Sequence, residues 1–141
     1  MIIKQLSIFL ENKSGRLHEV FDILGEEGIN VSACSVADTS EFGILRIIVS
    51  NPEKALDVLK SKTFSVNMSE VIAFSTPNQA GSLAKVLKIM SDASIGIEYL
   101  YGFSVGEKSF IVLRSDSIEQ CINELDKNKM ELISAKQLYK F

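Results

Sequence analysis

The sequence predicts an α+β chain built from two tandem copies of one β-α-β-β-α-β sandwich, and three observations predict it. The first is an internal repeat. NKSGRLHEVFDILGEEGINV at residues 12–31 returns as NQAGSLAKVLKIMSDASIGI at residues 78–97, with Asn12 and Asn78, Gly15 and Gly81, Leu17 and Leu83, and Ile29 and Ile95 each 66 positions apart. The second is periodicity: Leu17, Val20, Phe21 and Leu24, matched by Leu83, Val86, Leu87 and Met90, form the i, i+3, i+4, i+7 stripe of a half-buried helix. The third is the order of the flanking runs. An alternating apolar run precedes each copy and a second run of strand character follows it, which reads as strand, loop, helix, strand.

Taken in order, residues 5–10 alternate Leu6, Ile8 and Leu10 against Gln5, Ser7 and Phe9, as a strand with one face on helices does, and residues 71–76 repeat this with Ile72 and Phe74. The first helix is expected from Ser14 or Gly15 to Glu27, with Gly28 as its left-handed stop and Ser94 in that place in the second copy. The second strand reads Ile29, Val31 and Ala33 on one face, and Ile95, Ile97 and Tyr99 in the repeat. Polar breaks over residues 38–41 and 106–108 have hairpin length. A β-branched third strand follows over residues 43–49 and 109–114. The second helix opens on Asn51, Pro52 and Glu53, an N-cap followed by a proline whose missing N–H costs nothing there. In the second copy Ser117 and Gln120 have capping-box spacing. Its stripe is Pro52, Ala55, Leu56 and Leu59, matched by Ile118, Cys121, Ile122 and Leu125. A fourth strand over residues 64–69 runs into the next copy with no Gly or Pro between, and residues 130–138 are its counterpart. This order makes two ferredoxin-like sandwiches, antiparallel sheets with helices on one face, in domains 1–68 and 69–141. Units this small bury only roughly 60% of their unfolded surface, so an interface between the repeats is expected.

Composition narrows the function. A net charge of −3 and a pI near 5.2 argue against a nucleic-acid partner, which needs a basic face. Lys4 and Gln5 interrupt the apolar run at residues 1–10, which is neither a signal peptide nor long enough for a membrane span, so a cytoplasmic location is expected. Cys34 and Cys121 are not equivalent positions and form no CxxC pair, which reads as structural, reduced thiols. His18 is the sole histidine and flanks the core stripe; it reads as a surface residue, without the partners of a metal site or catalytic triad. No metal and no cofactor are implied.

Residues 12–31 resemble the signature of ACT domains: a short polar loop, Gly15 at the helix start, an apolar stripe, and Gly28-Ile29-Asn30-Val31 entering the second strand. The resemblance covers both repeats, and the second copy departs at Ser94 and Gly96. It implies a regulatory protein that binds an amino acid or similar small metabolite at the seam between two such domains and passes occupancy to a separate effector enzyme. Pairing with a second copy of the chain is left open.

The residues are consistent with that implication. A helix start presents unpaired backbone N–H groups to a carboxylate, here from Ser14, Gly15, Arg16 and Leu17 or from Ala80, Gly81, Ser82 and Leu83. The side-chain carbonyls of Asn12, Asn30 and Asn78, and backbone oxygens at Val31, Gly96 and Ile97, are candidates for an ammonium group. Each has a plainer reading. Asn12 and Asn78 suit loops or caps, Gly15 and Gly81 suit close backbone approach, Asn30 suits a solvated strand face, and Arg16 an exposed helix start. Gly96 leaves space and Glu98 shares its face, which would suit a ligand with a basic side chain. Tyr99, Tyr101 and Phe103 alternate where the first copy has Ala33, Ser35 and Ala37, and are expected at the joint between repeats or at a dimer contact. Two rival classes are an acylphosphatase-like enzyme, for which Arg16 stands without a second group to handle transition-state charge, and a protein-interaction module or regulatory subunit without its own ligand. The expectation is a protein that is not an enzyme.

Overall fold

The computed structural model describes residues 1–38 and 40–140. Its elements are β1 (Ile3–Glu11), α1 (Arg16–Glu26), β2 (Val31–Asp38), β3 (Phe42–Val49), α2 (Pro52–Ser61), β4 (Ser65–Pro77), α3 (Ser82–Asp92), β5 (Ile97–Val105), β6 (Lys108–Ser115), α4 (Ile118–Lys127), β7 (Glu131–Ile133) and α5 (Ala135–Leu138). They form two compact units. One is Lys4–Ser69 joined by the residues from Leu138 onward, and the other is Glu70–Gln137 joined by Met1–Ile3.

In the first unit the strands lie in the order β2-β3-β1-β4, with β3 antiparallel to β1 and to β2. Alternation along β1 and β3 puts Leu6, Ile8, Leu10, Leu45 and Ile47 on one face, where they pack with Val20 and Leu24 of α1 and Ala55 and Leu59 of α2. In the second unit the order is β7-β4-β6-β5, and Ile72, Phe74, Ile111 and Leu113 pack with Val86, Met90, Cys121 and Leu125. Both are α+β sandwiches with helices on one face of an antiparallel sheet. Asn51 caps α2 through its Oδ1, which accepts the Lys54 N–H at 3.2 Å, with Pro52 at the first helical position. Gly28 (φ 68°) and Ser94 (φ 56°) both turn left-handed after their helices. β4 is one unbroken strand across residues 65–77, with no Gly or Pro before its last residue, Pro77.

Four expectations are corrected. The second strand does not alternate from Ile29 through Ala33, because a bulge between Val31 and Ala33, repeated between Ile97 and Tyr99, moves Ala33 and Tyr99 to the face away from the helices. Leu100, not Tyr99, then pairs with the core residue Leu113. Residues 130–138 are not one strand: β7 stops at Ile133, and a capping box follows, in which the Gln137 side chain accepts the Ser134 N–H at 2.8 Å and Ser134 Oγ accepts the Gln137 N–H at 3.3 Å. No such box forms at Ser117, whose hydroxyl faces Asp116 while Gln120 donates to the Ala93 carbonyl. Gln5, read as polar and outward, is fully buried. The turn expected over residues 38–41 includes Thr39, which lies outside the described residues; its counterpart at Gly106 and Glu107 joins β5 to β6.

Candidate functional site

In both repeats the loop after the first strand ends on a left-handed glycine, Gly15 at φ 90° and Gly81 at φ 86°. A Cβ at either would meet nothing within 4 Å. Close approach therefore does not explain these glycines; the positive φ does. Neither helix start has a side-chain cap. The Arg16 and Ser82 amides donate back into their loops, to the Lys13 carbonyl at 3.4 Å and the Gln79 carbonyl at 3.1 Å. The first-turn amides beyond them, on Leu17 and His18 and on Leu83 and Ala84, are those a helix leaves for an outside acceptor. Asn12 and Asn78 tie each loop to the neighbouring hairpin by donating their backbone N–H to the Glu41 and Glu107 carbonyls, both at 2.8 Å. The Asn78 side chain also donates to the Gly106 carbonyl at 3.0 Å.

Each helix start overlooks a cleft within its own unit. That under α1 is small, about 80 Å³, and is lined by Asn12, Arg16 and Leu17 together with Leu10, Val36 and Asp38. That under α3 measures about 320 Å³; Gln79, Ser82 and Leu83 roof it, and Thr76, Leu100, Gly102, Ser104, Ser109 and Ile111 form its floor. A third hollow of about 450 Å³ lies beside the first, between Phe9, Phe42, Phe64 and Arg16. Arg16 is not the free helix-start cation expected: its guanidinium sits 5.0 Å from the Phe64 ring centroid, its Nη1 donates to Glu19 at 2.8 Å, and its Nε is buried without a hydrogen-bond partner.

The remaining candidates lie elsewhere. Because α1 runs back along the sheet, the start of β2 lies at the far end from the start of α1: Val31 pairs with Val49, whereas Asp38 pairs with Gly43 beside the end of β1. Asn30 exchanges hydrogen bonds with Ser50, at 3.0 Å to its Oγ and 2.9 Å from its N–H. The Gly96 carbonyl accepts from Ser115 Oγ at 2.7 Å, and Val31 and Ile97 pack against the two cores. Ser14 and Ala80 are exposed loop residues. Glu98 is 3.4 Å from Arg114 and lines neither helix-start cleft. The floor residues were absent from the sequence-based set. The pairing of Thr76 with Leu10 and of Gly102 with Val36, at the repeat offset, was the signal that would have found them.

Both cysteines are free thiols. Cys121 is buried, and loss of hydration pushes its pKa up, with Asp116 adding to the rise and a hydrogen bond from Ser115 opposing it. Cys34 is exposed on β2, so it is not a core thiol. His18 is exposed. Among the described residues no group of three His, Cys, Asp or Glu side chains is placed to hold a metal ion, and no helix is long and apolar enough to cross a membrane.

Comparison with known proteins places this geometry in a family. Residues 1–141 match the model for the ACT domain pair. A protein of known crystal structure from Bacteroides thetaiotaomicron is 48% identical, with a TM-score of 0.94 over 100% of this chain and 98% of its own. The regulatory subunits of aspartate kinase from Thermus thermophilus and Thermus flavus are each 14% identical, with TM-scores of 0.68 and 0.67. The first covers 88% of this chain and 91% of its own, the second 90% and 94%, and at that identity they show a shared fold. No curated protein matches significantly.

Proposed function

The chain belongs to the ACT domain pair family, and from that premise we propose that it is a regulatory receptor for a small carboxylate-bearing metabolite, an amino acid, held at a helix start. The observation that carries the reading is an uncapped helix N-terminus standing directly over a cleft of ligand size. The first-turn amides and the helix dipole attract a carboxylate. Hydroxyl and backbone oxygens of the cleft suit an ammonium group, and Leu83, Leu100 and Ile111 suit the apolar part of a side chain. The protein acts by occupancy rather than by turnover, and the effector we propose is a separate enzyme of amino-acid metabolism, in keeping with fold neighbours that are regulatory subunits.

Thermal-shift measurement with the standard L-amino acids tests this. A ligand present at about a hundred times its Kd adds roughly 2.7 kcal/mol to the folded state and raises Tm by several degrees. An unchanged Tm with every amino acid would overturn the reading.

A further inference from the structure

We propose that the two pseudo-equivalent clefts have diverged and that the one under α3 alone takes ligand: one molecule per chain, an amino acid whose side chain carries no charge. This rests on the receptor reading above and assigns it to one repeat and one ligand class.

The argument is positional. At the repeat offset, Leu10, Lys13, Arg16, Val36 and Asp38 of the first cleft become Thr76, Gln79, Ser82, Gly102 and Ser104 in the second. Each of these five changes removes bulk or charge, while Gly43 becomes Ser109, and the volume rises from about 80 to about 320 Å³. Gly102 lets the floor of the cleft pack tightly against the neighbouring strand. A Cβ there would lie 2.3 Å from the Phe110 carbonyl oxygen and 2.7 Å from Ile111 Cδ1, so this stretch of β5 lies too close to β6 for any side chain, whereas Val36 stands over the first cleft.

Thr76 supplies an independent sign of a ligand. It is 4% exposed, lines the cleft, and replaces a leucine that packs in the first core. Its hydroxyl reaches only the Pro77 carbonyl, at 3.4 Å, beyond the 2.5–3.0 Å of an O–H···O hydrogen bond. That bond is long, and a polar ligand atom in the cleft would offer the hydroxyl a closer partner. Ser104 Oγ and Ser109 Oγ are 2.7 Å apart, one donating to the other, which leaves the acceptor's own O–H and lone pairs for the ligand. No charged side chain lines the α3 cleft, whereas Glu11, Lys13, Arg16 and Asp38 surround the other. A lysine- or aspartate-like side chain would lose its hydration there with no counter-charge; the ligand carboxylate alone is provided for, by the Leu83 and Ala84 amides.

The test uses the full chain with L-alanine, L-serine and L-valine as probes and L-lysine and L-aspartate as charged counterparts. The uncharged probes are expected to raise Tm and the charged ones to leave it unchanged. Titration calorimetry with the most stabilising probe should give one site per chain, and amide NMR shifts should move at Leu83, Gly102 and Ser104 while Leu17, Val36 and Gly43 stay still. Ser82→Arg, which gives this helix start its first-repeat residue, should weaken binding about tenfold or more, close to 1.4 kcal/mol. Two sites per chain, shifts at the α1 cleft, unaltered binding by Ser82→Arg, or preference for a charged probe would overturn the assignment and leave the receptor reading standing. Failure of all five probes to bind would overturn the assignment, and the receptor reading falls with it only when no standard L-amino acid shifts Tm.

Discussion

Gly15 and Gly81 hold φ angles that an L side chain adopts only at a cost, yet the space beside them is open. Gly15→Ala and Gly81→Ala should each destabilise by about 1–2 kcal/mol in urea unfolding. Gly25 offers the opposite sign: it lies within α1 with nothing near its Cβ position, so Gly25→Ala should stabilise by about 0.5–1 kcal/mol. The thiols separate just as cleanly. Exposed Cys34 should react with a thiol reagent in the native protein, while Cys121, buried and with its pKa raised, should react only after denaturation. At this scale the sequence located the glycines but not their reason. A repeated Gly at a helix start is compatible with close approach or with positive φ, and only the backbone distinguishes them.

Helix caps show what was legible at the scale of an element. Asn51-Pro52 was read as a cap and is one, so Asn51→Ala should cost about 1 kcal/mol, measurable by chemical denaturation. Ser117 and Gln120 have the same spacing as Ser134 and Gln137, yet only the latter pair closes a box, because the Ser117 N–H donates to Ser115 Oγ at 3.0 Å and the Gln120 side chain donates to the Ala93 carbonyl. Ser117→Ala should therefore change stability by less than about 0.5 kcal/mol. The order of strands and helices along the chain, the helix stripes and the repeat register followed from hydrophobic period together with the 66-residue repeat and its turn residues. The bulges after Val31 and Ile97 did not, since one extra residue reverses which side chains face the core while leaving the composition of the run unchanged. That reversal, with the direction of α1 along the sheet, is why Asn30, Val31, Gly96 and Ile97 were legible as strand entries yet lie away from the clefts, and why the floor residues at the strand ends were missed.

Across the molecule the repeat made the architecture readable and concealed the difference between its copies, because apolar positions that define the fold match while the cleft positions do not. Two longer-range contacts tie the first unit together. The Lys4 ammonium donates to the Glu53 carboxylate and holds its pKa below 4.5. A lowered folded pKa means that this contact contributes above the ordinary Glu range and is lost as pH falls through the folded value. The Tm gap between wild type and Glu53→Gln should accordingly be widest near neutrality, close on acidification below 4.5, and narrow with added salt. The second contact is the Tyr139 hydroxyl donating to the Val49 carbonyl at 2.6 Å, across 90 positions of chain. Burial, reinforced by the Glu53 charge, raises the Tyr139 pKa above 10, so its contribution is complete below that value and fades in alkali as the unfolded chain ionises first.

That tyrosine also sets a timetable for synthesis. The segment beginning at Leu138 belongs with Lys4–Ser69, so the repeat translated first waits for the other to be made before its last piece arrives. At ordinary elongation rates the delay is on the order of ten seconds. A nascent chain arrested short of Leu138 should therefore hold a first repeat that is folded but more readily cleaved by protease than the same repeat in the finished protein.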